Sequence, residues 1–99
     1  MSRYTLSPRA REDLKAIYRY LAEQSAPAAG RLREVFLKRF RLLARHPLLG
    51  EARDDLAEGL RMFPAGSYVI LYRPTKVGIT VAQIVHSARD MDALFGRPA

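Results

Sequence analysis

The feature that most constrains this chain is a change of hydrophobic period near residue 58. Before it, apolar side chains return every third or fourth position; after it they alternate, so helices must give way to strands within one short chain. Leu14, Ile17, Tyr18 and Leu21 form one apolar stripe, which predicts a helix from Pro8 to Gln24. Ser7 is placed to cap it and Pro8 suits its first position. Ser25, Ala26 and Pro27 interrupt the pattern. Leu32, Phe36, Phe40 and Leu43 then share a face, predicting a second helix from Pro27 to His46, stopped by Pro47 and Gly50. Arg39 falls on that apolar side, where its stem can pack while its head reaches water.

Upstream, Arg3 to Leu6 alternate polar with apolar and read as a short strand. Residues 51–58 hold Glu51, Asp54, Asp55 and Glu58 in a turn-rich connection. Gly59–Phe63, Tyr68–Arg73 and Ile79–His86 are strand-length runs rich in Val, Ile, Tyr and Thr. The turns between them are short enough to force an antiparallel meander. Because YVILYR is apolar on both faces, the middle run should be central. Asp90 is placed to cap a last helical turn, Met91 to Phe95. The expected fold is therefore α+β: an N-terminal strand and an antiparallel helical hairpin packed on a three-strand meander. At 99 residues, residues 1–99 should form one domain.

Charge is distributed unevenly. Residues 1–50 hold 11 basic and 4 acidic side chains, residues 51–99 hold 6 of each, so the whole net charge of +7 belongs to the helical half. Fourteen of the 17 cations are arginine, the side chain suited to bidentate recognition of carboxylate or phosphate, and an acidic partner is favoured. Arg31, Glu34, Lys38, Arg41 and Arg45 line the outer side of the second helix, and Arg11, Lys15 and Arg19 recur on the first. Tyr18 is expected in the core and Tyr20 at a groove where a partner lies.

Several chemistries are disfavoured. There is no cysteine, and His46 and His86 have no zinc-site spacing, so neither metal nor cofactor is expected. The adjacent Asp54 and Asp55 read as a turn. No apolar stretch approaches a membrane span or a signal core, which points to the cytoplasm. No recognised DNA-reading spacing is present, so direct sequence-specific nucleic-acid binding is not expected.

Four pieces in order, YTLSPRAREDLKAIYRYLAE, RHPLLGEARDDLAEGLR, SYVILYR and VAQIVHSARDMDALF, closely resemble the ParE branch of the RelE/ParE toxin superfamily. The most specific are Ala10, Asp13, Leu14, Ile17 and Tyr20 in the first helix, HPxxG at 46–50, GLR at 59–61 and VHSARD at 85–90. The resemblance implies a toxin of a bacterial type II toxin–antitoxin pair, neutralised by a ParD-like antitoxin that wraps it, with DNA gyrase as the target of ParE members. RelE members instead cleave ribosome-bound messenger RNA with cations and aromatics on the sheet and C-terminal region. Here Val69 follows Tyr68 where that pattern has arginine, Lys76 is the one lysine of the second half, and Phe95 stands near the usual tyrosine. A binding toxin without catalysis is expected, with a RelE-like endonuclease as the alternative. Candidate target contacts are His86, Arg89, Asp90, Phe95, Arg61 and Arg73, with the acidic loop as a possible internal partner for Arg61. Candidate antitoxin contacts are Tyr20, Arg31, Lys38, Arg41 and Arg45.

Overall fold

A computed structural model of the chain describes residues 2–86. Strand β1 (Arg3–Leu6) leads into helix α1 (Pro8–Gln24) and helix α2 (Ala26–Arg45). A two-residue strand β2 (Glu51–Ala52) follows, then β3 (Arg61–Ala65), β4 (Tyr68–Pro74) and β5 (Gly78–His86). The sheet order is β1-β5-β4-β3-β2. The meander is antiparallel and β4 is central, as the two-faced YVILYR run requires. Two strands flank it: β1 pairs parallel with β5 and β2 pairs antiparallel with β3, so the sheet is five-stranded and mixed. Segment 51–58 is thus not wholly a turn, and β3 begins two residues later than expected. The Gly59 N–H donates to the Asp54 carboxylate and the Arg53 N–H to the Leu60 carbonyl, which holds the chain in the connection until Arg61.

Ser25 serves both helices. Its backbone N–H closes α1 on the Leu21 carbonyl and its Oγ accepts the Ala28 N–H at 3.2 Å, so one residue is cap and hinge together. Ser7 caps α1 by accepting the Ala10 N–H at 3.0 Å, and its own hydroxyl donates to the Ala82 carbonyl. The helices cover one face of the sheet. Phe36, Phe40, Leu43, Ala10 and Leu14 pack against Ile70, Tyr72, Ile79, Val81 and Ile84; each of the large ones contributes about 1.5–3 kcal/mol of burial. Tyr18 is half-buried and meets Phe36 edge-on. Burial raises its hydroxyl pKa above 10.0, a shift that Arg33 opposes. The other face carries a smaller core of Leu60, Val69, Leu71 and Val85, over which the 53–60 connection lays Leu56 and Ala57.

A bulge in β5 reverses the inward phase. Leu71 pairs with Gln83 but Tyr72 with Val81, leaving Ala82 as the extra residue. Ile79 and Val81 face the helices before it, Ile84 after it. Beyond the end of β1 the edge of β5 is closed by side chains: Ser7 takes the Ala82 carbonyl and Asp13 accepts the Ile84 N–H at 2.9 Å. The expected terminal turn, Met91 to Phe95, lies outside the described residues.

Candidate functional site

Strand β1 is an edge strand, and the C-terminal half of α2 packs over it through Tyr4 and Phe40, whose rings lie 5.3 Å apart. Parallel pairing directs the Arg3 and Ser7 N–H groups toward β5, leaving the alternate backbone groups of β1 on the open edge. Beside that edge is a cleft of about 870 Å³ lined by Ser2, Arg3, Tyr4, Thr5, Arg41, Ala44 and Arg45. It combines three cations with an apolar floor and unpaired strand backbone. Arg3, Arg41 and Arg45 are exposed. The ion pairs among residues 2–86 are Arg9 with Asp13 and Arg53 with Asp55, so the cleft's guanidinium groups have no carboxylate there.

Of the five expected antitoxin contacts, Arg41 and Arg45 line this cleft. Lys38 and Arg31 continue along the exposed side of α2, and Arg31 is ten positions, or roughly 15 Å, farther from the β1 end. Tyr20 is 60% exposed near the far end of α1, close to the Ser25 hinge and separate from the cleft. Arg3 and Thr5 were not singled out by sequence; only strand order places them beside α2.

The three expected target contacts among the described residues, Arg61, Arg73 and His86, do not converge. Arg61 pairs across from Tyr72 on the helix-covered face. Its Nε donates to the Gly50 carbonyl at 3.0 Å and its Nη2 to the Leu48 carbonyl at 3.2 Å, so backbone carbonyls take the place expected for the acidic loop. Arg73 lies on the opposite face, beside a hollow of about 190 Å³ shared with Leu71 and Gln83, and donates to the Glu58 carbonyl. His86, at the end of β5, meets Tyr68 edge-on at 5.6 Å. Arg89, Asp90 and Phe95 lie outside the described residues. Asp54 and Asp55 are used locally, by the Gly59 N–H and by Arg53 at 2.8 Å.

The turn at 46–50 is clasped from inside. The Tyr72 hydroxyl donates to the Pro47 carbonyl and accepts the Gly50 N–H, both at 2.8 Å. Burial raises the Tyr72 pKa above 10.0, opposed by the Gly50 N–H and by Arg61, so the ring stays a neutral donor. A Cβ at residue 50 would stand 2.5 Å from the Tyr72 hydroxyl and 2.7 Å from the Met62 carbonyl, which is why glycine is needed there.

Residues 4–91 match the family described as the ParE toxin of the type II toxin–antitoxin system parDE. Toxin RelE3 of Caulobacter vibrioides is 35% identical, the match covering 88% of this chain and 96% of that toxin. Toxin ParE1 of the same organism is 31% identical over 97% of this chain and all of its own length. Toxin ParE1 of Mycobacterium tuberculosis is 32% identical over 92% of this chain and 95% of its own. A solved structure described as the chromosomal ParDE TA system from P. aeruginosa superposes with a TM-score of 0.71 at 19% identity. That match covers 87% of this chain and 96% of the other, a likeness of fold.

Proposed function

This chain belongs to the ParE toxin family of type II toxin–antitoxin systems, and we propose on that basis that it acts by binding, with DNA gyrase as its target and a ParD-like antitoxin as its inhibitor. The observation that carries the non-catalytic reading is the dispersal of the sheet's polar groups. Cleavage of a phosphodiester by its 2′-hydroxyl needs a base, an acid and cations around one phosphorus. Arg61 and Arg73 stand on opposite faces of the sheet, Arg61 with two guanidinium nitrogens and Arg73 with one committed to backbone carbonyls. Binding tolerates such dispersal; transition-state stabilisation does not.

The antitoxin is assigned to the cleft between β1 and α2. An acidic, partly disordered segment that orders on binding matches its cations, apolar floor and open strand edge. Arg41→Glu with Arg45→Glu should then weaken the antitoxin complex more than Arg31→Glu with Lys38→Glu, the same charge change made away from the cleft. The C-terminal segment from His86 to Phe95 is assigned to gyrase. Ending the chain after Ala88 should leave a folded, antitoxin-binding protein that no longer inhibits supercoiling.

One observation favours a second reading, ribosome-dependent cleavage of messenger RNA: the 35% identity to a protein named Toxin RelE3. Purified chain added to a gyrase supercoiling reaction and to an in vitro translation reaction separates the two. Inhibited supercoiling with intact messenger is the expected result. Cut ribosome-bound messenger, lost on His86→Ala, would replace it with the nuclease reading.

A further inference from the structure

The turn that ends α2 presents two adjacent leucines to solvent, Leu48 at 71% and Leu49 at 50% exposure. Exposed turns ordinarily carry Gly, Asn, Asp or Ser, whose side chains satisfy or free the backbone. Lone exposed apolar residues need no explanation, but a contiguous pair beside an apolar hollow does. Leu48 and Leu49 line such a hollow with Leu42, His46 and Pro47, of about 580 Å³. The turn is also held rigid. Tyr72 and Arg61 between them engage the carbonyls of Pro47, Leu48 and Gly50 and the N–H of Gly50. All of that clasping comes from the protein side, leaving the leucine side chains outside it.

We propose that this turn is the apolar half of the antitoxin interface. One acidic segment would seat carboxylates in the β1–α2 cleft, cross the last turn of α2 at Arg45, and set an apolar side chain on Leu48 and Leu49. The inference rests on the antitoxin reading and extends it to a surface that reading does not use. Continuity supports it: Ala44 and Arg45 line the cleft, and Leu42 and His46, from the same last turn, line the leucine hollow. Charge selects the occupant. A second copy would bring a chain of net charge +7 against the cleft's own Arg3, Arg41 and Arg45, whereas an acidic segment neutralises them. A rigid turn keeps the ordering cost of docking on the partner's side alone.

The test uses the full chain and two synthetic probes, a glutamate-rich peptide with interspersed leucines and the same peptide with serine at those positions. Titration calorimetry at low salt should find both binding, the leucine form about tenfold tighter, the worth of burying part of one leucine. Leu48→Ser with Leu49→Ser should bring the leucine peptide down to the serine peptide's affinity and leave the serine peptide unchanged. Equal affinities for the two peptides would overturn the inference while leaving the cleft reading intact. Failure of both peptides to bind would overturn the cleft reading and the inference together. Self-association in sedimentation that the double variant abolishes would make the occupant a second copy instead. A short duplex DNA that binds as tightly as the leucine peptide and protects the same turn would make it a nucleic acid.

Discussion

The clasp on the 46–50 turn yields the sharpest quantitative expectation. Removing the Tyr72 hydroxyl with Tyr72→Phe strands the Gly50 N–H, which is buried, and frees the Pro47 carbonyl, which is half-buried. A buried orphan donor costs about 1–3 kcal/mol, and a carbonyl that water can reach costs about 1 or less. The substitution should therefore cost about 2–3 kcal/mol. For a chain of this size that lowers the melting temperature by roughly 8–24 °C.

Gly50→Ala attacks the same contact from the other side. Its Cβ would stand 2.5 Å from the Tyr72 hydroxyl and 2.7 Å from both Tyr72 Cε1 and the Met62 carbonyl. The Met62 carbonyl is backbone in a paired strand, so the tyrosine must give way and lose its bonds. Overpacking of this kind costs about 1–3 kcal/mol. In the double variant the hydroxyl is absent when the methyl arrives, so the two costs overlap by about 1 kcal/mol or more. Urea unfolding of the four proteins measures the cycle, with the slope against urea unchanged. Strict additivity, or a Tyr72→Phe protein within about 0.5 kcal/mol of the parent, would refute the reasoning.

Asp13→Ala should cost about 1–3 kcal/mol in urea unfolding because it strands the Ile84 N–H, while Arg9→Ala, which removes a 66%-exposed side chain and breaks only its ion pair, should stay within about 0.5. Ser7→Ala removes both the α1 cap and the Ala82 carbonyl's donor; it should cost about 1–2 kcal/mol and speed amide exchange at Ala10. Tyr18 and Tyr72 titrate above their ordinary value of 10.0 when folded, so the unfolded chain releases their protons first. Their contribution is complete below pH 10 and is lost as pH rises through the folded values. Chemical denaturation across that alkaline window should show stability falling with pH, less steeply in Tyr18→Phe.

What was legible in the sequence was what depends on local period. The 3.6-residue stripes placed both helices within a residue of their observed ends, and the two-faced YVILYR run placed the central strand. The turn between β3 and β4 was legible only in place: PAGS marks it, but Pro64 and Ala65 pair in β3, and the connection tightens to Gly66, with φ of 63°, and Ser67. Long-range pairing was not legible. That β1 lies parallel to β5 depends on where the last strand of the meander comes to rest, and no residue of RYTL announces it. Strand β2 is two residues long, too short for any period. The same limit applies to the candidate site. Arg41 and Arg45 could be read from helical spacing, but Arg3 joins them only through strand order. Arg61 misled because a guanidinium bound to carbonyls looks, in sequence, like one awaiting a carboxylate.

The polar residues that carry the family resemblance are largely fasteners of the fold. Asp13 closes the edge of β5, Gly50 admits the Tyr72 hydroxyl, the Gly59 N–H is held by Asp54, and Arg61 ties the end of α2 to the sheet. Each is specified by a backbone group of this chain, so each can persist unchanged whatever the protein inhibits. The exposed cations of α2 and the two leucines after it have no such internal duty and contribute little to packing. Antitoxin choice can therefore shift through Arg41, Arg45, Leu48 and Leu49 with small effects on stability, whereas changing a fastener lowers stability by about 1–3 kcal/mol. The resemblance carried by Asp13, Gly50, Gly59 and Arg61 is thus a resemblance of fold, which is why activity against gyrase has to be measured on this chain directly.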